Sequence, residues 1–328
     1  MMKNTFLLIL FLFSSFLIYS QSEQIWIESI DNSPWQSKSF PKPGLIDEEN
    51  DLIKISGEEK LQVIDGFGGA FSEKGWQALQ HLPKKKQNEI FEALFSVDGS
   101  NFNICRVPVG ASDFGLEWWS LNDTPGDFKM KNFSIERDKE YYIPYIKTAM
   151  QVNPDLKVWG SPWSPPAWMK ASKFFACKGE NTWDNCCEEI SKNSHLIFNE
   201  QNQKAYALYL AKFVEAYQKE GINLYALHVQ NEPAACQIFP SCLWSGEQLR
   251  DFIKYYLGPH FENNGIDAEI WLGSINSGEF DKYAGIVLAD EKASRYITGV
   301  GYQWAGKNAI GENHKKYPNF KLMQTESE

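Results

Sequence analysis

The sequence predicts an α/β protein, a (β/α)8 barrel built on a parallel sheet. Three observations carry this. Seven short apolar runs recur between residues 62 and 328, each ending in a polar or glycine-rich turn. Helix-like stretches with apolar residues three and four apart fall between them. The first run holds Gly66-Phe67-Gly68-Gly69, which lacks the GxGxxG spacing of a dinucleotide-binding, doubly wound sheet. Strand alternating with helix means a parallel sheet, and this many repeats favour a barrel over an open sheet.

The elements follow in order. Lys3 precedes an almost wholly apolar stretch at 6–18, and Ser20 offers a small residue for cleavage. Residues 1–20 therefore read as a signal peptide, their apolar run being too short to span a bilayer comfortably. The protein is expected to be exported (secreted, periplasmic or at the cell surface), and no later segment looks transmembrane. Residues 21–60 are polar, with strand-like pieces at Ile25-Trp26-Ile27 and Leu52-Ile53-Lys54-Ile55; they read as a side element. The barrel occupies 61–328. Its strands are expected at 62–71, 102–110, 156–163, 224–233, 269–276, 296–304 and 321–328. Helices are expected at 87–95, 202–220 and 246–257, the last capped by Ser245. Segment 172–200, polar and cysteine-bearing, reads as an insertion over the barrel mouth. Closing a barrel takes an eighth strand to remove the open edge. The expectation is a barrel incomplete at its C-terminal end, or an eighth strand drawn from 21–60.

Net charge is −10 and no basic stripe is present, which excludes a nucleic acid partner. Lys84-Lys85-Lys86 reads as a solvated helix end. Aromatics make up 15% of the chain, with 12 Trp, 14 Tyr and 22 Phe. Most belong in a core, but Trp and Tyr also make flat platforms for sugar rings. Cysteines stand at 105, 177, 186, 187, 236 and 242. Export permits disulfides; Cys236 with Cys242, and Cys177 with Cys186 or Cys187, are the candidate pairs, while Cys105 reads as a buried free thiol. No CxxC pair occurs, so no zinc site is expected.

In parallel barrels the reacting groups stand at the C-terminal ends of strands. Those ends carry Arg106 and Asp113, Trp163 and Trp168, Asn231-Glu232-Pro233, Tyr302-Gln303-Trp304, and Gln324-Thr325-Glu326. Two glutamates, Glu232 and Glu326, thus end different strands at one mouth. Breaking a glycosidic bond takes a proton for the leaving oxygen and a carboxylate at the anomeric carbon, and paired carboxylates in unlike environments supply both. Aromatics at the rim would stack the sugar, and Arg106, Asp113 and Asn231 would bond its hydroxyls. No metal or cofactor is required. Weaker signals have plainer readings. His228 shares the face of Glu232 and reads as a core histidine ahead of a proton shuttle. Glu73 and Asp65 read as structural, Trp168 as packing, and Asp113 has a loop-capping alternative. Asn122-Asp123-Thr124 and Asn132-Phe133-Ser134 are sequons.

From about residue 62 onward the sequence also resembles the glycoside hydrolase family 30 barrels, the group containing bacterial and animal glucosylceramidases. "IDGFGGAFSE", "CRVPVGASDF", "SPWSPPAWMK", "QNEP" and "MQTESE" resemble that family's signatures, five in the right order. The resemblance implies a retaining mechanism with Glu232 as general acid/base and Glu326 as nucleophile. It implies that Asn231 bonds the hydroxyl beside the reacting carbon and that Asp113 and Trp163 line the first sugar subsite. Arg106 resembles the partner that holds the nucleophile ionised. Tyr302 and Trp304 fall where the family puts an aromatic or His, here as "GYQW" and not the "HWY" of the animal enzymes. The family also pairs its barrel with a β-sandwich, to which 21–60 would contribute. The expected substrate is a β-glucoside or glycolipid, glucosylceramide being the named family activity. A β-1,6-glucanase, or a hydrolase of another β-linked sugar such as xylose or fucose, is the alternative. A sugar-binding protein without turnover is the rival of a different class. Oligomeric state is left open.

Overall fold

The structure, a computed structural model, describes residues 26–39, 57, 60–177 and 193–326. It divides into two compact units, Met1–Val63 and Ile64–Glu328. In the first, β1 (Trp26–Ile30) and β2 (Ser33–Lys38) pair antiparallel. They turn through Asn32, whose φ of 63° lies in the left-handed region that asparagine tolerates. The strand expected at 52–55 and the signal peptide at 1–20 lie outside the described residues.

In the second unit, β3 (Ile104–Pro108), β4 (Lys157–Ser161), β5 (Leu224–His228), β6 (Glu269–Ile275), β7 (Ile297–Gln303) and β8 (Lys321–Glu326) form one parallel sheet. Their order in space is their order in the chain. A doubly wound sheet reverses its order part-way; this one does not, and it curls as a barrel wall.

Six of the seven expected runs are strands. The first, 62–71, is corrected to a single bridge between Ala70 and Arg106. It still runs alongside β3, its Phe67 and Gly69 carbonyls accepting from the Asn103 and Arg106 N–H groups at 3.0 and 2.9 Å. The physical reason is glycine. Gly68 lies so close to β3 that a Cβ there would stand 1.8 Å from the Ile104 carbonyl oxygen, and glycines weaken regular strand pairing.

Helices join the strands and cover the outer face. Lys84–Phe95 starts after Pro83. Glu200–Lys219 is capped by Asn199, which accepts from the Asn202 N–H. Gly246–Phe252 opens on a full capping box between Ser245 and Gln248. It runs on through a wider turn to Gly265, which ends it at φ 61°, a conformation glycine adopts without strain. Among the described residues no helix is long and apolar enough to cross a membrane.

Strand alternation sorts the core. Cys105, Val107, Val158, Leu227, Ile270, Leu272, Val300 and Tyr302 face the helices, where Tyr142, Tyr206, Tyr209, Phe213 and Phe252 fill the layer. Trp159, Ala226 and Trp271 form a smaller cluster with Ile104 and Met323 on the other face, inside the curl. Small residues on β7 make that interior possible: a Cβ on Gly301 would stand 2.7 Å from the His228 ring.

Candidate active site

Arg106 is the centre of the strand ends. It stands on β3, is buried, and lies with its guanidinium 4.1 Å from the Trp163 ring and 4.8 Å from the Trp159 ring. Such faces hold a cation and exclude water from it. One guanidinium nitrogen is ion-paired with Glu326 at the end of β8. The other donates to Asn231 Oδ1 at 2.7 Å, Ser161 Oγ at 3.0 Å and Ser274 Oγ at 3.4 Å. One side chain thereby ties together the ends of β3, β4, β6 and β8 and the loop after β5. Its planar fork is what makes this possible; a lysine could not serve so many acceptors in fixed directions.

Asn231 is buried. Its Oδ1 also accepts from Gln303 Nε2 at 3.1 Å, so its Nδ2 is the end left to donate elsewhere. Its backbone N–H donates to the Pro162 carbonyl at 2.8 Å. Glu232 follows with φ 48°, a left-handed backbone that costs a non-glycine residue on the order of 1 kcal/mol. Its N–H is held by the Ser274 carbonyl at 3.0 Å, and its Oε2 accepts from Gln237 Nε2 at 3.1 Å.

Burial pushes the Glu232 carboxyl above the usual glutamate range, and the charge of Glu326 pushes the same way; the amides of Gln303 and Gln237 and the charge of Arg106 oppose them. Trp304, at φ 50° and 40% exposed, donates from Nε1 to Glu326 Oε2 at 3.2 Å. Asp113 lies within the fields of Glu326 and Arg106. Burial and then Glu326 raise its pKa, and its Oδ1 accepts the Phe114 N–H at 3.0 Å.

The structure thus brings Arg106, Asp113, Trp163, Asn231, Glu232, Trp304 and Glu326 together. Tyr302 is a correction to the expected sugar contacts. It faces the helices, and its hydroxyl donates to Asn313 Oδ1 at 2.8 Å; alternation sends the next residue, Gln303, inward in its place. His228 lies inside the curl, 0% exposed, between the Trp159 and Trp271 rings at 4.2 and 5.3 Å. It is a core histidine, but among the described residues neither ring nitrogen has the hydrogen-bond partner that a buried polar group usually finds. Burial and Arg106 hold its pKa well below the ordinary imidazole value, which keeps it neutral.

Glu73 is structural as read: fully buried, it accepts from Arg137 Nε at 2.6 Å and the Leu116 N–H at 2.7 Å. Trp168 packs against Phe128 and donates to the Asn122 carbonyl at 2.9 Å. Trp168 and Phe128 border a groove of about 600 Å³ whose lining includes neither Glu232 nor Glu326. Asn122 is buried and hydrogen-bonded to Asp127, so the first sequon is closed.

The cysteine pairing is corrected. Cys177 is bonded to Cys236, while Cys242 is a buried free thiol, as is Cys105. Cys186 and Cys187 lie outside the described residues. Ser161, Ser274, Gln303 and Gln237 contribute to the site without having been singled out in the sequence. Among the described residues no group of three or more His, Cys, Asp or Glu gathers as metal ligands would.

Residues 64–328 match the model of the glycosyl hydrolase family 30 TIM-barrel domain. The chain is 35% identical over 286 residues to putative glucosylceramidase 1 of Caenorhabditis elegans, covering 84% of this chain and 52% of that one. It is 30% identical over 288 residues to the lysosomal acid glucosylceramidase of Mus musculus, covering 84% and 53%. Among solved structures it is similar to the endo-β1,6-glucanase BT3312, with a TM-score of 0.71, 29% identity and coverage of 83% of this chain and 59% of that one. The chain spans about half the length of the curated relatives it matches.

Proposed function

We propose, given that the chain belongs to glycosyl hydrolase family 30, that it is an exported, retaining β-glycosidase acting on β-glucosides or glucolipids. The observation that carries this is the Arg106 network: one guanidinium binds both Glu326 and Asn231, so the ends of distant strands converge beside Glu232. In the first step Glu326 attacks the anomeric carbon, and Glu232 delivers its proton to the departing oxygen. The product is a glycosyl ester on Glu326. Glu232, now a carboxylate, takes a proton from water, whose oxygen displaces Glu326 and frees the sugar. A separation of about 5–5.5 Å between the carboxyls is what this double displacement requires.

The raised pKa of Glu232 supports its part as the acid, since it keeps the proton on toward neutral pH. Asn231 Nδ2 would bond the hydroxyl next to the reacting carbon, a contact that strengthens in the transition state. Trp304 and Asp113 would contact the sugar ring from the rim. Two carboxylates suffice for this chemistry, so no cofactor enters it.

The test is hydrolysis of a chromogenic aryl β-glucoside by wild type, Glu232→Gln and Glu326→Gln, with glucosylceramide and a β-1,6-glucan assayed in parallel. Turnover by wild type and its loss in both variants is the expected result. Equal inactivity of all three would favour a sugar-binding protein without turnover. A second reading, endo-β-1,6-glucanase, is favoured by the likeness to BT3312; release of oligosaccharides from the glucan without cleavage of the lipid would select it.

A further inference from the structure

Among the described residues, Gln237 reaches the Glu232 carboxyl from outside the strand ends, donating to Oε2 at 3.1 Å. Its own backbone is pinned on both sides. The Gln237 N–H donates to Ser241 Oγ at 3.1 Å. The Gln237 carbonyl accepts from the Cys177 N–H at 3.0 Å. Its neighbour Cys236 is covalently bonded to Cys177, 59 residues away in the chain. The two loops are further joined by a bridge between Ala176 and Pro240 and by the Ser241 N–H donating to the Phe175 carbonyl at 3.1 Å. The buried Lys170 binds both loops, its Nζ donating to the Phe175 carbonyl at 2.7 Å and the Ser241 carbonyl at 2.6 Å.

We propose that Gln237 is a positioning residue for Glu232, and that the Cys177–Cys236 cross-link holds it in register. The proposal deepens the glycosidase reading and rests on Glu232 being the acid/base. The Gln237 amide N–H on Oε2 makes that oxygen an acceptor, and the Gln303 amide also reaches the carboxyl. The carboxyl is thereby oriented as well as located. Once the proton has left, the same bond becomes charge-assisted and stronger. Gln237 therefore favours the carboxylate and tempers the rise that burial and Glu326 impose. The charged groups facing Glu232 are Glu326 from β8 and Arg106 from β3; neither is altered by changes at 177, 236 or 237.

The test is the pH profile of kcat/KM on an aryl β-glucoside, with near-ultraviolet circular dichroism as the control for folding. Four proteins are compared: wild type, Gln237→Ala, the double variant Cys177→Ser/Cys236→Ser, and all three substitutions together. Loss of the amide raises the pKa of Glu232, so the alkaline limb moves up by about one pH unit, and kcat falls roughly tenfold. The double variant makes the same move, and the triple variant adds nothing to it. If the double variant does not fold, wild type treated with a phosphine reductant takes its place. An alkaline limb unmoved in Gln237→Ala overturns the role of Gln237. A limb that moves in Gln237→Ala but not in the disulfide-free protein overturns the role of the cross-link. Full activity in Glu232→Gln sinks the underlying assignment of Glu232, whatever Gln237 does.

Discussion

At the residue scale the site depends on which of two neighbours points inward. On β7, Val300 and Tyr302 face the helices, so Gln303 faces Asn231. Tyr302→Phe should therefore leave kcat/KM unchanged and cost about 1 kcal/mol of stability through the lost bond to Asn313, read by denaturant unfolding. Asn231→Ala should lower kcat/KM about a hundredfold, more in kcat than in KM, since the contact it removes tightens in the transition state. On a 2-deoxy-glucoside, wild type and Asn231→Ala should converge; a difference that persists there would place Asn231 elsewhere on the sugar. Arg106→Lys should also cost about a hundredfold in kcat/KM, because a point charge cannot span Glu326, Asn231 and Ser161 at once. Period-two alternation puts Gln303 on the face of Gly299 and Gly301, a signal present in the sequence beside the more conspicuous Tyr302 and Trp304. Ser161 and Ser274 carry no local signal, since a strand serine is ordinary until an arginine from another strand meets it.

At the element scale the readable features were those whose physics is local. The helix after Ser245 was legible because a capping serine stands directly before it, and the structure completes a capping box with Gln248. Ser245→Ala should cost about 1 kcal/mol of stability and leave activity alone, measured as a lowered melting temperature with unchanged kcat. The segment 62–71 was less legible. Its apolar residues have a strand pattern, but the glycines that let it lie against β3 also break regular pairing. The disulfide was illegible for a related reason. Cys236 and Cys242 are close in sequence, yet Cys242 is buried as a free thiol whose pKa burial pushes up to about 11. The partner of Cys236 arrives from the loop after β4, which only the folded sheet brings near.

At the scale of the whole molecule, the rhythm of strand and helix was enough to give a singly wound parallel sheet. The strand-end rule was enough to place two glutamates at one end of it. What the rhythm could not show was the cost of burying charge beneath that surface. Asp138 is fully buried under the helices, with Tyr217 donating to it at 2.8 Å, and burial pushes its pKa up to about 8. In the unfolded chain an aspartate titrates near 4 (about 3.9). Its contribution to stability is thus full below about pH 4 and is lost as pH rises toward about 8. Asp138→Asn should remove that slope from a series of unfolding curves between those limits.

The most direct measurement of the central claim is covalent trapping. The protein is incubated with a 2-deoxy-2-fluoro-β-glucoside bearing a good leaving group, digested, and mapped by mass spectrometry. A single fluoroglucosyl ester on Glu326, absent from Glu326→Gln, is the predicted result. A label on another carboxylate, or turnover of the glucoside with no trapped ester, would contradict it.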